Sequence, residues 1–459
     1  MSQRLIQLLR MKTGRAVSRI DLGSYIQTVD RFDPLKVYGR IVEITGLTIK
    51  ATGLDVSIGE ACKIYSEKAD PVNAEVVGFK EGKVILMATG EVAGIRHGSR
   101  VMPLGKNISV KVSDGLIGRI IDSTGNPIDN KGPIEGTDCP LYSLSPNPLT
   151  KKIISAPLDI GIRSINGLLT CGKGQRLGIM AGSGVGKSVL LGMIAKYSEA
   201  AINVIALIGE RSREVGEFIE RNLGEEGLRK SIVVVSTSDQ APLAKVRGAF
   251  TATAIAEYFR DAGKDVLLLM DSLTRVAMAQ REIGLAVGEP PTTRGYTPSV
   301  FALLPKLLER VGTSDNSGSI TGLYTVLVEG DDMLEPVADM SRSLLDGHIV
   351  LSRELAMENH YPSIDILQSI SRVMPNIIEE KHREYASKFV DTLSTYKKFE
   401  DMINLGAYKH GTNFKVDFAI KLIERIRSFL KQDMHNPIEY ADSLQGLYCI
   451  FDEVSNEST

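Results

Sequence analysis

The sequence predicts an α/β protein in three parts: a small N-terminal antiparallel β-barrel, a central parallel-sheet domain and a C-terminal helical domain. Three observations carry this prediction. Apolar residues recur with period two between regularly spaced glycines before residue 98. Continuous apolar runs then alternate with helical stretches between residues 99 and 375. Beyond Pro375 the apolar positions follow helical spacing alone. The expected divisions are 1–30, a docking segment, then 31–98, 99–375 and 376–459.

The whole-chain properties narrow the class. At 459 residues, with 43% hydrophobic and 24% charged residues, the chain has ordinary globular composition and room for several cores. A net charge of −2 gives no global attraction to nucleic acid or to an anionic membrane. Cys62, Cys139, Cys171 and Cys449 are far apart, which argues against a disulfide framework or zinc site and suits a reducing cytosol; they read as small buried side chains. No apolar run approaches the roughly 18 residues of a membrane span, and Arg4, Arg10, Lys12 and Arg15 interrupt any signal-peptide core.

Taken in order, Ser2–Arg19 reads as a short amphipathic helix with Leu5, Leu8 and Leu9 on one face. From Val37 to Gly98, short runs such as Val84–Met87 alternate with glycine turns, the mark of a small barrel. The runs 204–208, 232–235, 266–270 and 324–328 are apolar on both faces, as strands of a helix-covered parallel sheet must be. In the last part Phe389, Leu393, Tyr396 and Ile403, then Ala419, Leu422, Ile426 and Phe429, mark helices, while Glu379–Glu384 reads as a solvated helix face.

The most specific signal is Ala181-Gly182-Ser183-Gly184-Val185-Gly186-Lys187-Ser188, between an apolar strand and a helix beginning near Val189. Strand, glycine turn and helix N-terminus together aim backbone N–H groups at one anion. Gly182 through Val189 are therefore expected to hold a nucleotide, with Lys187 on its β- and γ-phosphates and Ser188 on Mg²⁺. Ala181 replaces the usual first glycine.

Ligands of open parallel sheets lie at the carboxyl ends of the strands, so charged residues there are the candidates. Asp271 ends the run 266–270 and is expected in the Mg²⁺ shell; its alternative role is a helix N-cap. Glu210 ends the run 204–208 and is placed to polarise water beside a γ-phosphate; the alternative is an ion pair with Arg213. Arg211 is expected to pair with Glu210 or the phosphate.

These segments, with Met270–Arg275 and Gly288–Pro298, follow one another at spacings that resemble the flagellar protein-export ATPases, relatives of the catalytic subunit of rotary ATP synthases. The resemblance covers nearly the whole chain and is most specific from Asp271 to Gly312. It implies a RecA-like core that hydrolyses Mg²⁺-ATP to energise protein export, Tyr361 stacking on adenine, and Arg372 as an arginine finger for a neighbouring subunit's nucleotide. Arg275 would be a further active-site arginine. A trans finger implies a homohexameric ring. The resemblance further implies a stator-like regulator at the N-terminal segment, a central stalk protein, an export gate, chaperone–cargo complexes and peripheral contact with acidic lipids at the cytoplasmic membrane face, and no nucleic acid. Arg294 and Tyr296, in the Gly288–Thr297 loop, are expected to face the ring's hole and couple turnover to stalk or cargo. The alternatives are an injectisome ATPase, a rotary synthase subunit and a hexameric nucleic-acid translocase.

Overall fold

The computed structural model describes residues 37–66, 70–315, 318–328, 330 and 332–456. The amphipathic segment expected over Ser2–Arg19 lies outside them. Six strands close into an antiparallel barrel in the order β1-β2-β5-β4-β3-β6: β1 (Gly39–Thr45), β2 (Thr48–Thr52), β3 (Glu60–Tyr65), β4 (Val72–Lys80), β5 (Lys83–Ala88) and β6 (Arg100–Asn107). Their inward positions, among them Ile41, Ile49, Ile64, Val76 and Leu86, form the barrel's own core. The barrel extends past residue 98 because β6 joins β1 and β3, removing two open edges. Pro103, Gly105 and Lys106 break the period-two pattern in β6, which hid this strand from the sequence reading.

Beyond the barrel, β7 (Ser109–Val112) pairs with β9 (Thr137–Pro140), while β8 (Ile120–Asp122) joins the large central sheet. That sheet continues through β10 (Arg176–Ala181), β11 (Ile202–Glu210), β12 (Ser231–Thr237), β13 (Asp265–Asp271), β14 (Ser319–Leu327), β15 (Gly347–Leu351) and β16 (Ile364–Ser371). Its order is β16-β15-β10-β14-β13-β11-β12-β8. The described pairings are parallel, except that β16 runs antiparallel to β15. The four apolar runs expected as strands fall on β11, β12, β13 and β14. They are buried on both faces, between two hydrophobic cores.

Three helices position the site: α1 (Lys187–Tyr197), α2 (Pro242–Asp261) and α3 (Leu273–Val287). α2 is buried along most of its length and carries charges inward. Arg310, fully buried, donates to the Glu257 carboxylate on α2 and to the Leu141 carbonyl. This pairing satisfies a buried guanidinium and pins the chain leaving the barrel to the central domain.

The C-terminal helices are α4 (Glu380–Asn404), α5 (Phe414–Leu430) and α6 (Tyr440–Asn456). Phe389, Tyr396, Ala419, Leu422, Ile426 and Phe429 join one face of the sheet in a shared core. Arg163 donates to the carbonyls of Ser428, Phe429 and Lys431, neutralising the negative end of α5. The expected solvated face at Glu379–Glu384 is interrupted: His382 is 1% exposed, with Nε2 on the Gly167 carbonyl at 2.7 Å and Nδ1 facing the Tyr440 hydroxyl at 3.3 Å. All four cysteines are free; Cys62 and Cys171 are buried, but α6 turns Cys449 outward, against expectation. Among the described residues no helix is long and apolar enough to cross a membrane.

Candidate nucleotide site

The glycine-rich loop joins β10 to α1. Gly184 and Gly186 have φ of +80° and +86°, a region that a side chain strains, and the turn needs both. Gly186 caps α1, and the first helical bond runs from the Leu190 amide to the Gly186 carbonyl. The amides of Lys187, Ser188 and Val189 therefore have no partner inside the helix and point where its dipole is positive. They open on a cleft of ≈ 710 Å³ that Gly182, Ser183, Gly184, Glu210, Arg211 and Arg275 also line. Val185 differs from its neighbours: its side chain is 1% exposed in the core, and its carbonyl accepts from the Ser363 hydroxyl. Its side chain does not line the cleft.

β10, β11 and β13 end on this cleft and bring Lys187, Glu210 and Asp271 together. Lys187 Nζ donates to Asp271 Oδ1 at 2.6 Å and to Glu210 Oε1 at 3.4 Å. Burial opposes the charge on Lys187, but the two carboxylates outweigh it and raise its pKa. Burial also raises Glu210, against the pull of Lys187 and with a further push from Asp271 and Glu214. The alternative readings of both carboxylates fail on geometry. Ser272, not Asp271, caps α3 by accepting from the Arg275 amide, and Arg213 pairs with Glu217 rather than Glu210. Arg211 likewise pairs with Glu214 at 3.1 Å and is 81% exposed. It rims the cleft without touching Glu210.

Thr325 escaped the sequence reading. Its hydroxyl donates to Asp271 Oδ1 at 2.6 Å. It belongs to β14, and only the β13–β14 register, which sets Met270 opposite Tyr324, brings the two together. Nothing local in the sequence carries that information. Arg275 packs its side-chain stem over Gly209, where φ is +73° and an added Cβ would lie 2.8 Å from the Arg275 Cβ.

Tyr361 stands beside the loop, its ring carbons 3.4 Å from where a Gly186 Cβ would be, and is 43% exposed. It walls a second, mostly apolar cavity of ≈ 330 Å³ with Val189, Pro362, Gln432 and Met434. A planar base next to the phosphate loop fits this space. Arg372 is elsewhere. Because β16 is antiparallel, Ser371 pairs with Gly347 at the start of β15, whereas Ala181 pairs with Leu351 at its end. Arg372 thus emerges at the opposite end of the sheet from the phosphate loop, exposed, donating to the Leu345 and Arg342 carbonyls.

The loop from Gly288 to Thr297 corrects one expectation. Tyr296 is 3% exposed, donates to Glu335 Oε1 at 2.8 Å and meets Phe301 edge-on. It anchors the loop and has no surface for a passing partner. Arg294 remains half exposed, paired with Asp332 at 2.7 Å.

The residues present suit a magnesium nucleotide. Free amides and an ammonium match phosphate oxygens, and the exposed Ser188 and the Asp271 carboxylate offer oxygen donors of the kind Mg²⁺ takes alongside substrate phosphates. Among the described residues no group of three or more His, Cys, Asp or Glu could hold a metal by itself.

Comparison with known proteins agrees with this architecture. Residues 41–105 match the ATP synthase alpha/beta family, beta-barrel domain, and residues 161–371 its nucleotide-binding domain. Residues 378–448 match the T3SS EscN ATPase C-terminal domain. The chain is 52% identical to the flagellum-specific ATP synthase of Bacillus subtilis over 432 residues, 92% of this chain and 97% of that one. It is 46% identical to the type 3 secretion system ATPase of Xanthomonas euvesicatoria over 418 residues, 91% and 94% of the two chains. The assembled ATPase EscN of the enteropathogenic E. coli type III secretion system superposes with a TM-score of 0.85 at 45% identity, covering 90% of this chain and 99% of that one. EscN in complex with its central stalk EscO gives 0.83. The chain belongs to the family of flagellum-specific ATP synthases and type III secretion ATPases.

Proposed function

We propose that this chain hydrolyses Mg²⁺-ATP at the interfaces of a homohexameric ring and so energises protein export during flagellar assembly. The observation that carries the reading is the separation of charges: Lys187, Glu210 and Asp271 converge at one end of the sheet, while Arg372 emerges at the other. A chain built this way completes each site only with a second copy.

Phosphoryl transfer needs positioning and charge neutralisation more than covalent chemistry. Lys187 would exchange its carboxylate partners for the β- and γ-phosphate oxygens, and the loop amides would hold the same oxygens. Ser188 and Asp271 would hold Mg²⁺, which when bound neutralises phosphate charge. Releasing Lys187 frees Glu210 to accept from and align the attacking water. Tyr361 would stack on adenine, and the neighbour's Arg372 would stabilise charge as the bond to the leaving group lengthens. Arg211 and Arg275, on the rim, would add positive potential.

The EscN–EscO complex supports a central stalk as a partner here too. A stator-like regulator and acidic lipids at the N-terminal segment, and chaperone–cargo complexes at an export gate, complete the reading, with the ring at the inner face of the cytoplasmic membrane. The alternative, an injectisome ATPase, shares this chemistry; the higher identity to the Bacillus flagellar relative favours flagellar export. Glu210→Gln tests the chemistry directly. It should retain ATP binding and lose hydrolysis by about 10²–10⁴-fold, the usual contribution of a general base. Wild-type turnover in that variant would remove Glu210 from the mechanism.

A further inference from the structure

The carboxylate assigned to the metal shell has a second buried partner that the mechanism has not used. Asp271 Oδ1 receives two donors at once, Lys187 Nζ and Thr325 Oγ1, each at 2.6 Å. Among the described residues these are the only side chains that donate to it. They differ in what happens when nucleotide arrives. Lys187 sits on the phosphate loop and is the cation that phosphate would draw away. Thr325 is fully buried on β14, side by side with β13, and has nowhere to go. Its hydroxyl carries one proton, and the Asp271 oxygen is nearer than the Met270 carbonyl at 3.4 Å.

We propose that Thr325 is the positioning residue of the metal shell: it holds Oδ1 of Asp271 through the whole cycle and so keeps Oδ2 presented to the Mg²⁺ side of the cleft. The proposal rests on the assignment of Asp271 to that shell. A carboxylate left without a fixed partner turns about its last torsion, which is broad. One gripped at a single oxygen by a buried, neutral donor offers the other in one direction without losing its charge. Such outer partners of metal-shell carboxylates typically contribute about 10–100-fold to metal affinity.

The test uses the full chain and mant-ADP, whose fluorescence is titrated with Mg²⁺ present and with EDTA. In the wild type Mg²⁺ should tighten binding by a definite factor. Thr325→Val keeps the shape and deletes the donor; it should reduce that factor by about tenfold or more and leave binding in EDTA unchanged. Thr325→Ser, which restores the hydroxyl without the methyl, should recover the wild-type factor. If valine disturbs folding, Thr325→Ala serves in its place, and circular dichroism of each variant checks the fold. In the Asp271→Asn background the Thr325→Val change should have no further effect.

Each outcome is decisive. An unchanged Mg²⁺ factor in Thr325→Val, with a reduced one in Asp271→Asn, overturns the role of Thr325 alone. A serine variant that behaves like the valine one shows that the methyl, not the hydroxyl, matters, and overturns it too. An unchanged factor in Asp271→Asn instead overturns the assignment of Asp271, on which the proposal stands.

Discussion

The direction of β16 makes a quantitative prediction about mixed rings. Arg372 leaves the sheet at the end opposite the phosphate loop, so no rotamer brings its guanidinium to the cleft of its own chain. If it acts, it acts on a neighbour. Lys187→Ala and Arg372→Ala should each lose about a thousandfold or more in kcat, the scale of an arginine finger, or ~4 kcal/mol of barrier. Loss of Arg372 also forgoes only two hydrogen bonds to the Leu345 and Arg342 carbonyls, at 3.3 and 3.2 Å and partly exposed, so the fold should survive. In rings assembled at random from equal amounts of the two variants, about one quarter of the interfaces join an intact Lys187 to an intact Arg372. Steady-state ATPase assays of such mixtures should therefore rise to about a quarter of the wild-type rate, far above the sum of the two parents. A finger acting within one chain leaves every site defective, and the mixture stays silent. Silence in mixtures shown by size to be hexameric would refute the trans assignment.

The remaining expectations are simpler. Tyr361→Ala should raise KM for ATP by about tenfold, as for a lost aromatic stack of ~1–1.5 kcal/mol, and leave kcat nearly unchanged; an unchanged KM removes Tyr361 from the adenine site. Arg310→Met should destabilise the chain by about 3–5 kcal/mol in denaturant titrations, because it strands the buried Glu257 carboxylate, and adding Glu257→Gln should recover much of that loss. His348, His360 and His382 are all held neutral chiefly by burial, with pKa values below the unfolded one. Their contribution is intact above roughly pH 6.5 and is lost as pH falls from there through the lowered native values. The midpoint of thermal unfolding should accordingly fall on acidification below that pH, and less steeply in His382→Gln; an equal fall in both would exclude His382 as a contributor.

The central domain was legible because its information is local. An apolar strand, a glycine turn at 182–186 and a charged strand end are each contained in a short segment, so Lys187, Glu210 and Asp271 could be placed by the rule that ligands lie at strand carboxyl ends. What failed depended on contacts distant in sequence. Thr325 reads as one more residue of an apolar strand until the register sets it beside Asp271. Tyr296 sits in a loop of prolines and glycines that reads as a projection, yet Glu335 and Phe301 fold it into the core. His382 stands within a run of charges, and its burial against Gly167 is decided by how the helical domain packs on the sheet. The proposed trans role of Arg372 came only with the resemblance; the antiparallel direction of β16, which carries Arg372 to the far end of the sheet, is what supports it.

That same geometry gives a physical reason for the proposed second chain at the site. Within one copy two cations of the cleft are already paired with carboxylates: Lys187 with Asp271 and Glu210, Arg211 with Glu214. A nucleotide can claim Lys187, but doing so leaves Glu210 and Asp271 without the ammonium that balances them, beside incoming phosphate charge. Mg²⁺ at Ser188 and Asp271 would offset part of that negative charge. Among the described residues the cleft is also lined by Arg275, which here packs its stem on Gly209, and by Lys245, which donates to the Ser238 carbonyl. In the proposed ring, an arginine from the neighbouring copy would add to these cations. On the proposed reading, a lone chain would bind nucleotide and turn it over slowly.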